Sequence, residues 1–203
     1  MKGKIIAVGN FKGGVGKSLI SYLLYKHFSD SYGLIQSDLD VISDNILHIA
    51  DFDDFKSKKD EIREILNNKN LIIDTGGFYD DLQNYFFKKS NLIVIPLFLD
   101  NLSIKRTFLF LKFLNTLNVN SKKLIVINKY NKEQEDIKTE FINYTKENYG
   151  ITDFFTLNNY KSFEKVINTD INLIEQNKKN KILYKNAVLQ LQQLNNKIKG
   201  LLK

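Results

Sequence analysis

The chain has 203 residues, 43% hydrophobic and 26% charged, with a net charge of +7 and no cysteine. That length is most simply one domain, residues 1–203, with room for a sizeable core, and the composition is ordinary for a soluble globule. Without thiols, disulfides, iron–sulfur clusters and thiolate zinc sites are excluded; no signal peptide is expected, and the longest apolar run, Leu92 to Leu99, is too short to span a bilayer.

In chain order, the first apolar run is IIAV, Ile5 to Val8, a strand candidate. It leads into FKGGVGKS, Phe11 to Ser18. Gly13, Gly14 and Gly16 let the backbone wrap closely around phosphate oxygens, and a following helix presents its N-terminus to the anion. Lys17 is placed to reach the β- and γ-phosphates of a nucleotide, and the Ser18 hydroxyl to ligate Mg²⁺. The common loop G-x-x-x-x-G-K-[ST] has glycine where this chain has Phe11, and a second lysine, Lys12, follows it. Leu19, Ile20, Leu23, Leu24, His27 and Phe28 share one face of the predicted helix, so His27 reads as packed and not as a ligand.

Leu34–Ile35 is a weaker strand candidate, followed by QSDLD, Gln36 to Asp40, an acidic turn if its role is purely structural. Ile62, Ile65 and Leu66 mark a second helix. LIIDTGG, Leu71 to Gly77, is an apolar strand ending in Asp74, the Walker B pattern; a purely structural turn is the alternative. LIVIPL, Leu92 to Leu97, is a further strand, and Ile104, Phe108, Leu111 and Leu114 to Leu117 mark a helix. LIVIN, Leu124 to Asn128, is the last strand expected. Its extension VINKYN has Asn131 where the guanine-reading N-K-x-D needs an acceptor carboxylate, which favours ATP over GTP. The last helix is expected from about Leu183 to Lys199, where Tyr184, Ala187, Leu191, Leu194, Ile198 and, just beyond, Leu201 form one apolar stripe, to dock on the body, on a partner subunit, or on a membrane surface.

The strand candidates are rich in Ile and Val and do not alternate, as expected of parallel strands buried on both faces. Interleaved with helical patterns, they predict an α/β fold: a three-layer P-loop NTPase with a mostly parallel central sheet flanked by helices. Charge is uneven. Leu34 to Asp81 carries 12 acidic and 5 basic residues, whereas Lys161 to Lys203 carries 9 lysines and 3 acids. The basic quarter suits a polyanion, nucleic acid or anionic membrane, or is simply a solvated face.

KGGVGKS resembles the deviant phosphate loop of the ParA/MinD family of ATPases, most like a small ParA-type partition protein. The resemblance implies that Lys12 reaches across an ATP-closed homodimer to the partner's phosphates. It implies catalytic roles for Lys12, Lys17 and Asp40, with Asp40 positioning the attacking water. ATP would be held by Lys12, Gly13, Gly14, Val15, Gly16, Lys17, Ser18, Leu19 and Asn128, the last near the adenine or a simple strand-end cap. Mg²⁺ would be held by Ser18, Asp38 and Asp74. Leu19 stands where the family has a second Thr, and Val41–Ile42 where many members have Pro-Gln.

The implied activity is ATP hydrolysis to ADP and phosphate, slow without a partner. The implied partners are non-specific DNA, held through C-terminal lysines around Tyr160, Lys161, Lys178, Lys179, Lys181 and Lys185, and a ParB-like or small DNA-binding activator. The implied location is the cytoplasm, on the nucleoid. The alternative is a MinD-like ATPase using KIKGLLK, Lys197 to Lys203, on anionic lipid, although that tail lacks a large aromatic anchor. Relatives resembling nitrogenase iron protein need cysteines; a degenerate nucleotide-binding scaffold remains a non-enzymatic reading.

Overall fold

The computed structural model describes residues 3–28, 31–36, 47–49, 52–76, 81–169 and 173–203. Its framework is a seven-stranded sheet in the order β3-β2-β4-β1-β5-β6-β7. The strands are β1 (Ile5–Val8), β2 (Tyr32–Gln36), β3 (Leu47–His48), β4 (Asn70–Asp74), β5 (Leu92–Leu97), β6 (Lys122–Tyr130) and β7 (Phe154–Asn158). Every described pairing is parallel. The five expected runs are β1, β2, β4, β5 and β6; β3 and β7 are additions at the two edges.

Each apolar run splits between two cores by the period of two along a strand. Ile6, Val8, Ile72, Leu92, Val94, Leu124 and Val126 face one side, where they meet α1 (Lys17–Phe28), α7 (Lys161–Thr169), α8 (Leu173–Lys179) and α9 (Lys181–Leu202). Ala7, Ile93, Ile95, Leu97, Ile125 and Ile127 face the other. There they pack against Phe87 of α4 (Asp81–Lys89), against α5 (Asn101–Thr116) and against Phe141 of α6 (Glu135–Tyr149). On that second side Ile35, Leu71 and Ile73 also meet α2 (Phe52–Ser57), α3 (Lys59–Asn68) and α4. Burial on both faces explains why these strands lack alternation in sequence.

The chain leaves β1 towards β2 and leaves β4 towards β5, in opposite directions across the sheet. Right-handed crossovers therefore put α1 on one face and α4 on the other, opening a crevice at the carboxyl ends of β1 and β4. Pro96 is tolerated in central β5 because β1 pairs with β5 only as far as Val94.

The α9 stripe is spent inside the molecule. Tyr184, Ala187, Val188, Leu191, Leu194 and Ile198 are all buried in the core shared with α1 and α7, with Leu201 and Leu202 packed alongside. Of the three docking modes left open by the sequence, the body of the fold is the one observed. Lys197 pairs with Asp153 at 3.0 Å, tying the end of α9 to the approach to β7. No helix among the described residues is long and apolar enough to cross a membrane.

Candidate functional site

The site begins where β1 ends. Val8 lies in register with Asp74 of β4 and Val94 of β5, so the ends of β1 and β4 meet beside β5, which runs on to Leu97. Gly9 N–H donates to Val94 O (3.0 Å), and both the N–H and the hydroxyl of Thr75 donate to Val8 O (3.1 and 2.8 Å). A Cβ at Gly9 would lie 2.7 Å from Phe87 Cζ and 2.9 Å from Thr75 Oγ1, so only glycine fits there.

The loop then folds into an anion cradle. Gly14 and Gly16 have φ of 75° and 96°, conformations that favour glycine. A Cβ at Gly13 or Gly14 would meet nothing within 4 Å, and both residues are exposed, so the backbone there is open to approach from outside. At Gly16 the added Cβ would collide with Asn128 Nδ2. Helix α1 starts at Lys17, with Ile20 N–H donating to Gly16 O (2.9 Å). Its first-turn N–H groups and positive dipole end point into the cradle.

The two lysines are held differently. Lys17 is 7% exposed, and its Nζ approaches Lys12 O at 3.4 Å, inside the loop. Lys12 is half-buried, and its Nζ donates to Gly13 O (2.8 Å) on the outer edge. Phe11, at the position of the absent glycine, packs on α5, with ring centroids 5.3 Å from both Phe110 and Phe113. Asp100 caps α5 through Leu102 and Ser103 N–H groups. Its limited burial pushes the Asp100 carboxyl up, but hydrogen bonds from Ser103 and Leu102 and the charge of Lys12 outweigh that, leaving it below the ordinary carboxylate value.

Asp74 ends β4 and is 1% exposed; Gln36 Nε2 approaches its Oδ2 at 3.4 Å. Ser18, half-buried in the first turn of α1, and Asp74 offer the hard oxygen donors that Mg²⁺ prefers. No group of three or more candidate metal-ligating side chains occurs among the described residues. Gln83 of α4 reaches Gly76 O at 3.4 Å, bracing the start of the turn after β4. Asp38, Asp40 and Gly77 lie outside the described residues.

Asn128 is 3% exposed at the carboxyl end of β6. Its Nδ2 donates to Val15 O (2.9 Å) and its Oδ1 accepts from Lys129 N–H (2.9 Å). Val15 is buried, and Leu19 is half-buried against the core below, with an apolar side chain where the resemblance has a hydroxyl. Among the C-terminal basic residues, Lys161, Lys165, Lys178, Lys179 and Lys185 are exposed, while Tyr160 packs edge-on against Phe163 at 5.4 Å. Asn10, Gln36, Thr75 and Gln83 are contacts that sequence reasoning missed; for Asn10, Gln36 and Thr75 the one cue was a polar side chain at or just past the end of an apolar run, and Gln83, inside α4, gave none.

No protein-family model and no curated protein matches the chain in sequence. Solved structures do match in fold. Apo McdA from Cyanothece superposes with a TM-score of 0.71 at 14% identity, covering 96% of this chain and 99% of that one. The MinD cell division protein of Aquifex aeolicus gives 0.66 at 14% identity, covering 95% and 97%. A plasmid partition protein from Borrelia burgdorferi bound to AMPPNP gives 0.58 at 17% identity, covering 83% and 90%. The chain therefore has the P-loop fold of these proteins.

Proposed function

We propose that the chain is a ParA-type partition ATPase, which dimerises on ATP, binds DNA without sequence preference and hydrolyses ATP when an activating protein joins it. The observation that carries this reading is the pair of lysines on one loop. Lys17 is enclosed beside the cradle, whereas Lys12 sits on its outer edge with its Nζ on Gly13 O; in this reading that second ammonium turns to the phosphates of a second subunit. The fold shared with McdA, MinD and a nucleotide-bound partition protein supports it.

In this reading the N–H groups of Gly13 to Ser18 and the Lys17 ammonium bind the β- and γ-phosphates. Ser18 and Asp74, with Asp38, hold the metal, which supplies charge neutralisation on the phosphates. Asp40 orients the attacking water, and Lys12 stabilises charge on the transferring group. Asn128 serves the nucleotide through the loop it braces, at the strand end where the resemblance puts the adenine. DNA lies on the exposed C-terminal lysines, and the chain acts on the nucleoid in the cytoplasm. The buried α9 stripe argues against the membrane-surface alternative, which needs that apolar face free.

The experiment is a pair of substitutions. Lys17→Ala abolishes nucleotide binding. Lys12→Ala keeps it but loses ATP-dependent dimerisation, read by sedimentation velocity, and stimulated turnover. Normal nucleotide binding by Lys17→Ala, or normal dimerisation and hydrolysis by Lys12→Ala, overturns the reading.

A further inference from the structure

We propose that Asn10 is the positioning residue of Lys12, and that it ties the place of that lysine to helix α5. Asn10 is 2% exposed and makes three hydrogen bonds. Its Nδ2 donates to Pro96 O (2.8 Å) and to Thr107 Oγ1 (2.8 Å). Its Oδ1 accepts from Lys12 N–H (3.1 Å). Both amide hydrogens are used, one towards β5 and one towards α5, and the oxygen fixes the backbone from which Lys12 starts.

The chemistry explains why the side chain is an amide. The β1–β5 ladder stops at Val94, and β5 runs on to Leu97. The carbonyl of Pro96 therefore faces ground that β1 no longer covers, and a buried carbonyl needs a donor. Thr107 Oγ1 spends its own hydrogen on Ser103 O (2.8 Å), so it can only accept from Asn10. Two acceptors thus converge on one point. An amide NH₂ satisfies both; a carboxylate has no hydrogen for either, and a hydroxyl has one hydrogen to give. The neighbouring Phe11 ring on Phe110 and Phe113 fastens the same turn to the same helix.

Lys17 is anchored on α1, and it meets this turn through the long 3.4 Å approach of its Nζ to Lys12 O, not through Asn10 Oδ1 or the Lys12 N–H. Loosening Asn10 should therefore misplace Lys12 and leave the Lys17 cradle intact, and a movement of α5 would carry Lys12 with it. The inference rests on the proposed trans role of Lys12.

The test compares Thr107→Val, Thr107→Ser, Asn10→Ala and Lys12→Ala, with Asn10→Ala and Thr107→Val also made in the Lys12→Ala background. Three quantities are read: nucleotide affinity by calorimetry, ATP-dependent dimerisation by sedimentation velocity, and the thermal midpoint. Thr107→Val should weaken dimerisation by about 5-fold, the worth of one hydrogen bond, while nucleotide affinity stays unchanged. Thr107→Ser, which keeps the acceptor, should behave as wild type. Asn10→Ala should weaken dimerisation further, and neither change should add to the loss already caused by Lys12→Ala. If Asn10→Ala does not fold, the Thr107 pair carries the test alone. Wild-type dimerisation by Thr107→Val beside an impaired Lys12→Ala overturns this inference only, as does a loss that persists undiminished in the Lys12→Ala background. A normal Lys12→Ala overturns the functional reading and this inference with it.

Discussion

Substituting Gly16 by alanine tests the loop where its geometry is tightest. Gly16 has φ of 96°, and an added Cβ collides with Asn128 Nδ2. Asn128 cannot swing aside freely, because its amide is buried and bonded to Val15 O and Lys129 N–H. Holding an L-residue at such a φ costs about 1–3 kcal/mol. Displacing the Asn128 amide leaves the buried Val15 carbonyl unsatisfied, at a further ~1–3 kcal/mol. The combined cost, about 2–6 kcal/mol, corresponds to a loss of roughly 30-fold or more in nucleotide affinity if the loop gives way instead of the fold. Calorimetric titration with ADP and ATP in Mg²⁺ reads that loss, and a thermal scan reads the share falling on stability. Removing the obstructing amide with Asn128→Ala in the same chain relieves the collision but not the φ strain. The double variant should thus lose less than the two single losses added together. A Gly16→Ala protein with wild-type affinity and midpoint, or losses that simply add, would refute this account of the loop.

Leu191→Ala, in the buried stripe of α9, should destabilise the protein by about 2–5 kcal/mol in chemical denaturation, because a large apolar side chain leaves a cavity; a change within the ordinary range of surface substitutions would mean that α9 is not docked as described. His27 gives a pH dependence. Burial first, and the charge of Lys199 second, lower its pKa from the ordinary 6.5. The unfolded chain then binds the proton more readily, so stability is complete above about pH 6.5 and declines as pH falls through the lowered folded value. Thermal midpoints between pH 5 and pH 8 should show that decline in the wild type and a flatter profile in His27→Gln; parallel profiles would contradict it.

The central strands were legible because they are buried on both faces, which forces continuous Ile, Val and Leu in β1, β4, β5 and β6. Strand β7 was not, because an edge strand needs little burial and only Leu157 of its five residues is fully covered. Helix α6 was missed for a similar reason: its described buried positions are Phe141 and Thr145 alone, too few to write an apolar stripe. The phosphate loop is a local motif, so its residues could be named from spacing. The contacts that brace it are not local. Asn10 reaches Pro96 and Thr107, 86 and 97 residues away, and Asn128 reaches Val15 across 113. Nothing in a single sequence pairs positions so far apart; only the sheet order brings them together.

The most direct test of the proposed switch is co-sedimentation of the purified protein with random-sequence DNA and, separately, with anionic liposomes, in Mg-ATP, Mg-ADP or no nucleotide. The account predicts DNA binding that requires ATP, weakens steeply with salt as lysine–phosphate contacts must, and has no counterpart on liposomes. Binding to liposomes in ATP without binding to DNA, or DNA binding indifferent to nucleotide, would contradict it.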